Sequence, residues 1–327
     1  MTKTRLIWQM GLLVACLLVT CVLTGASHGQ AYCALRDPVR VLYEAYPEAD
    51  SHRSIIRTVT AADRDAIERD LSLTILYDEL GRHTLYVPLR EGHPLGLLHV
   101  RSERGRYGLT EIAWSLDLEG RITDGRLQRC RDPKLREAFA EDLLSQLGSA
   151  DVPEILALLQ KEGLTSEQRV VLGSAAKTSV VTSIVWDADL LPMRAAVLAN
   201  TKWPESEAVL HAVQIDRSAF IADTGIEPLS VHAWSVRGVD GQQLGILARS
   251  WVNFDGQRVE LWWQIDLNGC IVDVSAGDKE SSSIKQAFSE VFGKSTATMA
   301  ECSTAAGVVA GELLHGVGTS VMDGKVD

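Results

Sequence analysis

The sequence predicts an α+β protein of two similar domains, each an antiparallel sheet meander with flanking helices. Two observations lead to this fold class. First, residues 92–141 recur at 241–290, an offset of 149, and 14 of these 50 positions are identical without a gap. Second, each copy contains short β-rich runs joined by glycine-bearing turns, and helical segments follow the runs. Strand runs followed by helices indicate an α+β fold with helices on one face of the sheet.

The identities in the repeat belong to residue types that fix turns and cores. The segment GHPLGLL at 92–98 matches GQQLGIL at 241–247, and EIAWSLDLEGRITD at 111–124 matches ELWWQIDLNGCIVD at 260–273. The number of matching glycine, aspartate and tryptophan positions at this one offset is higher than chance would give. We therefore interpret the two segments as copies of one structural unit.

Each copy is predicted to form about four strands. In the first copy, residues 110–118 alternate Ile112, Trp114 and Leu116 with smaller or polar residues, which is typical of a strand with one buried face. Glycine-bearing turns separate the runs. The expected strands are 84–89, 95–100, 110–118 and 121–127 in the first copy, and 243–248, 259–267 and 270–274 in the second.

Helical patterns flank the strands and set the domain boundaries. The expected helices are 61–70, 132–147, 152–161 and 166–186 around the first copy, with 283–292 and 298–314 after the second. The first domain is assigned to 32–186, a connector to 187–204, the second domain to 205–315 and a loose tail to 316–327.

The N-terminus has the pattern of an export signal. Lys3 and Arg5 precede residues 6–26, which carry no charge. A stretch of about 20 apolar residues lies between the length of a signal peptide and that of a membrane-spanning helix. Residues 1–31 are therefore either a cleaved signal peptide or an anchor that contacts the membrane, and 13–16 also resemble a lipobox. Each alternative predicts a periplasmic location for the remaining chain.

Charge and cysteine usage narrow the function classes. The net charge is -11, and an acidic surface repels nucleic acid, which argues against a DNA- or RNA-binding role. Four cysteines follow the apolar stretch, but no C-x-x-C spacing occurs, so they indicate disulfides or buried thiols rather than a metal or redox motif. These four are Cys33, Cys130, Cys270 and Cys302.

Each copy resembles the FMN-binding domain family, which includes periplasmic domains of the Rnf complex and of the sodium-translocating NADH:quinone reductase. The shared features are a strand bordered by Leu-Gly at 95–96, a loop with Gly105 and Gly108, and Asp-x-x-Gly-x-Ile at 117–122. The resemblance implies an FMN cofactor and periplasmic electron transfer with a redox or membrane protein partner. FMN would then carry the chemistry, and the protein would position it.

The resemblance also implies where FMN would bind. Arg101, Arg104 and Arg106 form a basic cluster around Gly105 and Gly108. This cluster would be a phosphate-binding loop, because arginine suits phosphate geometry. The alternative for this cluster is a solvated hairpin tip. Two further glycines would let a flavin ring approach the backbone, or would instead mark strand bulges. These are Gly96 and Gly245.

The family's sharper mark is Ser-Gly-Ala-Thr at the start of a helix, where the threonine carries FMN through a phosphoester. A helix N-terminus favours a phosphate through its free N–H groups and dipole. In the first copy, Gly-Ser-Ala-Ala at 173–176 places Ala176 at the acceptor position, and alanine cannot form the ester. The second copy offers Thr298 and Thr304 as acceptors.

Aligned aromatic and acidic residues allow two interpretations. Trp114 and Trp263 would stack on a flavin or fill the core, and Asp117 and Asp266 would bind a ligand or cap a turn. The sequence therefore supports two functions. One is an FMN-dependent electron carrier, and the alternative is a non-catalytic periplasmic binding or scaffold protein that retains the fold without flavin.

Overall fold

A computed structural model of the chain describes residues 37–71, 79–139, 141–148, 150–204, 206–215, 230–254 and 257–276, together with Ala310 and Leu313. The chain divides into two compact units, Met1–Leu190 and Leu191–Asp327. Each unit contains one antiparallel sheet with helices, so the predicted α+β class with two sheet domains is confirmed.

The first unit is built around sheet 1, whose strands follow chain order β1-β2-β4-β5-β6, with the short β3 paired to β2. The predicted four-strand meander lacked β1, which forms the edge beyond β2. The strands are β1 (Ser51–Val59), β2 (Gly81–Arg90), β3 (His93–Pro94), β4 (Leu97–Gly105), β5 (Gly108–Leu116) and β6 (Ile122–Arg129). The helices are α1 (Val39–Ala45), α2 (Ala61–Leu71), α3 (Pro133–Ala138), α4 (Glu141–Leu147), α5 (Val152–Leu159) and α6 (Ser166–Val185).

Helices cover both faces of sheet 1, so the prediction of one buried face was wrong. On one face, Leu42 and Tyr46 at the end of α1 pack against Leu98 and Ala113. On the other face, α6 packs against β4 and β5. As a result every residue of β5 from Thr110 to Leu116 is buried, including the positions that the alternation had assigned to solvent.

The second unit repeats this arrangement in sheet 2, with strand order β7-β8-β9-β10-β11. Helix α7 (Asp187–Lys202) precedes it, and Leu191, Ala195 and Ala199 of this helix pack against one face of the sheet. Ala310 and Leu313, both helical, pack against the other face. The strands are β7 (Val209–Val213), β8 (His232–Arg237), β9 (Gln243–Phe254), β10 (Gln257–Ile265) and β11 (Ile271–Ala276).

The offset of 149 persists in the strand pairing. Leu97 pairs with Leu116 in sheet 1, and Ile246 pairs with Ile265 in sheet 2. Strands β5 and β10 begin and end at positions 149 residues apart. Both also shift register at their last residue, where the chain turns into the next strand. The two sheets therefore share strand order, register and an irregularity at the same place.

The segments between and beyond the sheets differ from the sequence prediction in part. The division between units falls within the assigned connector, 187–204, and most of this segment is helix α7. The expected helix at 132–147 is divided into α3 and α4. The expected helix 283–292 and the tail 316–327 lie outside the described residues. Of the expected helix 298–314, the described residues are Ala310 and Leu313.

Among the described residues, none of the helices combines the length and apolar character needed to cross a membrane. The predicted signal peptide or anchor, 1–31, lies outside these residues.

Candidate functional site

The two glycines predicted to admit a flavin ring occupy equivalent, closely packed places. A Cβ atom at Gly96 would lie 2.8 Å from the carbonyl oxygen of Leu116 and 2.7 Å from the Tyr46 hydroxyl. A Cβ atom at Gly245 would lie 2.6 Å from the carbonyl oxygen of Ile265 and 2.9 Å from the Trp203 ring. In each unit the glycine is covered by an aromatic side chain that directly follows the helix before the first strand of the sheet. Tyr46 follows α1 in the first unit, and Trp203 follows Asp187–Lys202 in the second.

The aligned tryptophans and aspartates have the same roles in both units. The side chains of Trp114 and Trp263 are fully buried in the cores. Asp117 accepts hydrogen bonds from the backbone N–H groups of residues 119 and 121, and Asp266 accepts them from residues 268 and 270. Partial burial raises the pKa of Asp117 above its usual range. These contacts match the core and turn-capping interpretations.

The structure does not bring the predicted phosphate loop together with Gly96. Gly105 and Gly108 bracket the hairpin turn between β4 and β5, and Arg104 is exposed beside them. Gly96 precedes the opposite end of β4, roughly 30 Å away at 3.3 Å per strand residue. Arg101 does not belong to the loop, because it lies within β4 and is buried.

The Gly-Ser-Ala-Ala segment of the first copy does not start a helix. Helix α6 begins at Ser166, after the capping residue Thr165, so residues 173–176 lie in the helix interior. Their backbone N–H groups are therefore used by the helix and are closed to a phosphate. Ser174 accepts a hydrogen bond from the Trp114 indole at 3.0 Å, and Ala176 is fully buried. Thr298 and Thr304 of the second copy lie outside the described residues.

A buried polar cluster joins α6 to sheet 1, and it is the candidate site that the geometry assembles. Glu79 accepts hydrogen bonds from Arg101 Nη2 and Lys177 Nζ, each at 2.7 Å. Glu103 lies 3.2 Å from Lys177 Nζ and 3.5 Å from Arg101 Nε. The four side chains are between 3% and 13% exposed, so these ion pairs lie largely away from water. The charges balance, with two carboxylates and two cations.

Two histidines complete this polar cluster. The rings of His83 and His99 are 5.5 Å apart and edge-on, and Trp186 packs against the His99 ring. His83 Nε2 lies 2.8 Å from the Glu79 carbonyl oxygen, which can only accept, so Nε2 donates and Nδ1 carries a lone pair. Among the residues that the structure describes, His83 Nδ1, His99 Nε2 and the hydroxyl of Thr178 find no hydrogen-bond partner.

Both histidines are held neutral. Burial, and next to it the charge of Arg101, lowers the pKa of His83 to about 4. Burial likewise lowers the pKa of His99 well below its usual range, and the neighbouring His83 and Arg101 act in the same direction. An interior position disfavours the charged form of histidine, and a nearby cation adds to this effect.

The chemistry open to this cluster is limited by its burial. A general acid or base must come within hydrogen-bond reach of a substrate atom, but here even the most exposed side chain is mostly covered. Within the described ranges, no three His, Cys, Asp or Glu side chains are placed to hold a metal ion. Cys130 and Cys270 are free thiols, whereas Cys33 and Cys302 lie outside those ranges. The described contacts of the cluster are those of a buried ionic network, in which the four charged side chains pair with one another.

The cluster was not predicted from the sequence, although β4 contains a signal for it. His99, Arg101 and Glu103 alternate along one face of the strand, and a run of polar residues on a face that packs against a helix requires buried partners. Those partners, Glu79 and Lys177, are far away in sequence. Their positions depend on where α6 crosses the sheet, which the spacing of residues does not reveal.

Comparison with known proteins gives no match: no protein-family model, no curated protein and no solved structure is similar to this chain.

Proposed function

We propose that this chain is an exported, non-catalytic binding or scaffold protein that keeps a duplicated α+β module without using it to hold a flavin. The observation that carries the proposal is the closure of Gly96 and Gly245. A flavin ring at either backbone position would have to displace the aromatic side chain that covers it. In the first unit this would also break the hydrogen bond from the Tyr46 hydroxyl to the Leu97 carbonyl oxygen, 2.9 Å long.

Two further features support the same function. The acceptor position Ala176 has no hydroxyl and is fully buried within α6. The polar cluster around Arg101 holds its acids and bases in ion pairs under the helix rather than in an open cleft. Both features favour a module whose buried polar side chains stabilise the fold and do not act on a substrate.

Titration of the full-length protein, purified in mild detergent, with FMN tests the proposal. We expect free FMN to keep its fluorescence and the protein to remain colourless after dialysis. Saturable quenching of FMN fluorescence at one or two equivalents would contradict the proposal. The same preparation, digested and analysed by mass spectrometry, tests Thr298 and Thr304, and a peptide that carries FMN at either threonine would also contradict it.

FMN-dependent electron transfer in the periplasm is the second candidate, and the hairpin between β4 and β5 favours it. Tyr107 at the tip is 52% exposed, and Arg104 and Arg106 are exposed beside it. The Arg106 guanidinium lies over the Tyr107 ring, 5.5 Å from its centroid, and an exposed aromatic ring with arginines nearby suits a flavin ring and its phosphate. If FMN binds here, the double variant Arg104→Gln/Arg106→Gln should weaken binding at least tenfold. Arg53→Gln, an exposed arginine on β1, should leave it unchanged.

A further inference from the structure

Helix α6 packs on sheet 1 with a largely buried face. Part of this contact is a cluster whose charges balance only while its histidines are neutral. Glu79 and Glu103 offset Arg101 and Lys177, so a proton on a histidine adds an uncompensated positive charge to the interior. We propose that protonation of His83 and His99 releases α6 from sheet 1, so that the first unit contains an acid-operated switch.

The geometry leaves one nitrogen of each histidine without a hydrogen-bond partner among the described residues. His83 Nδ1 and His99 Nε2 are buried, and neither has a hydrogen-bond partner within the described part of the chain. On His83 the added proton would go to Nδ1 and create a buried N–H group that no described residue accepts. A charged His99 carries a proton on both nitrogens, so its Nε2 would likewise be a buried N–H group without an acceptor among the described residues. The hydroxyl of Thr182 lies 3.5 Å from the other nitrogen of His99, so this contact links the histidine directly to α6.

The charged groups around the histidine pair come from three places in the fold. Strand β4 contributes Arg101 and Glu103, α6 contributes Lys177, and Glu79 immediately precedes the loop into β2. Arg101 opposes protonation of both histidines, whereas Glu79 favours protonation of His83. Glu79 accepts both of its ion-pair hydrogen bonds at Oε1, from Arg101 and Lys177, so its charge is shared between these two cations.

The pH window follows from the histidine pKa values. His83 titrates near 6.5 when exposed and near 4 in the folded unit, so the opened form takes up the proton first. The stability that neutral His83 contributes is thus present above pH 6.5 and is lost as the pH falls towards 4. The pKa of His99 is lowered in the same direction, so its contribution has the same sign.

The second unit provides an internal reference, because it lacks the pair. Leu85 pairs with His99 in sheet 1, and Ala233 pairs with Ala248 in sheet 2. In this register Ala248 replaces His99, and two residues before Ala233 the position of His83 is taken by Val231, which is buried in the apolar core. Acid should therefore act on sheet 1 and leave sheet 2 intact over this window.

Hydrogen exchange of the full-length protein, followed by mass spectrometry from pH 7 to 4.5, tests the switch. After correction for the intrinsic pH dependence of exchange, we expect the opening constant of α6 peptides to rise at least about a hundredfold. His83 alone contributes this factor between its exposed pKa of 6.5 and pH 4.5, and His99 adds to it. Peptides of β9 and β10 should remain protected. A flat profile for α6, or an equal loss in sheet 2, would overturn the proposal.

Variants separate the histidines from other titrating groups. His83→Val/His99→Ala, which introduces the residues of the second unit, should abolish the acid response of α6. His83→Gln/His99→Gln keeps polar side chains that do not titrate, and it serves if the apolar variant does not fold. His211→Gln, at an exposed histidine on β7, should respond as the unaltered protein does. An unchanged acid response in a folded double variant would refute the role of the histidines.

Discussion

The two sheets share a backbone and differ in the face that lies beneath the covering helix. The register of β4 on β5 is the register of β9 on β10, and fully buried tryptophans occupy equivalent places. The inward positions of β4 are nevertheless polar where those of β9 are small or apolar: His99, Arg101 and Glu103 against Ala248, Ser250 and Val252. The turns, the glycines and the buried tryptophans therefore fix the backbone of both sheets. The residues on the face beneath the helix can be either charged or apolar.

This difference also indicates that the polar cluster is not needed to build the fold. Replacing a buried ion pair by apolar residues of similar volume is often neutral or stabilising, because desolvation offsets the attraction between the charges. Sheet 2 has an apolar solution of this kind at the equivalent positions, with Val252 and Trp263 in its core. Its own buried ion pair, Arg249 with Glu260, occupies the alternate positions of β9 and β10. Breaking a buried pair on one side only is a different matter, since an uncompensated charge is left behind. The largest expected effect follows from this asymmetry.

Arg101→Met removes one cation from the cluster and leaves Glu79 and Glu103 with Lys177 alone. We expect a loss of about 3–5 kcal/mol from the free energy of opening of the first unit, as for other buried ion pairs that lose one partner. Hydrogen exchange in β4 and α6 peptides measures this loss. Arg53→Met, at an exposed arginine of β1, should change stability by less than about 0.5 kcal/mol. Equal effects of the two substitutions would mean that the cluster is not a buried ionic network.

Gly96→Ala and Gly245→Ala test whether the two units are equivalent at the glycine that packs against the last residue of β5 or of β10. Each added Cβ atom would meet a backbone carbonyl oxygen at 2.8 Å or 2.6 Å, so the strand must move. Overpacking of this kind costs about 1–3 kcal/mol, and we expect each variant to destabilise its own unit. Hydrogen exchange assigned to each sheet checks this.

Gly173→Ala is the matched control for the two glycine variants. Gly173 lies in the interior of α6, and a Cβ atom there meets nothing within 4 Å. Alanine should stabilise α6 by about 0.5–1 kcal/mol, because glycine costs this much in a helix. If Gly96→Ala does not change the stability of the first unit, the close approach of the Leu116 carbonyl oxygen does not require glycine. The equivalence of the two units would then depend on strand register alone.

The fold was largely predictable because the repeat reveals its own turns. Asp117 and Gly120 recur as Asp266 and Gly269, and both pairs make the same tight turn between strands. The edge strand β1 was missed, because most of its residues are exposed and give no alternating pattern. The polar cluster was missed for another reason. Glu79 and Lys177 are 98 residues apart, and only the packing of α6 on the sheet brings them together.

Tyr46→Phe isolates the smallest expected difference between the units, which is the hydroxyl that covers Gly96. The Tyr46 hydroxyl donates to the Leu97 carbonyl oxygen at 2.9 Å, and the Leu116 carbonyl oxygen lies 3.3 Å away. Phenylalanine keeps the ring and loses this hydrogen bond, at a cost of about 1 kcal/mol to the first unit. Hydrogen exchange in β4 measures the loss, and β9 is the reference.

The pH dependence of this variant provides a second test. Burial raises the pKa of Tyr46 to about 12, so the folded unit keeps the phenol proton at a pH where the opened chain, with a pKa near 10, has lost it. The stability contributed by the tyrosine is therefore present below pH 10 and is lost as the pH rises to 12. The difference between the unaltered protein and Tyr46→Phe should shrink over this range. If the difference in stability between the two proteins stays constant over this range, the Tyr46 hydroxyl is solvated and does not pack against Gly96.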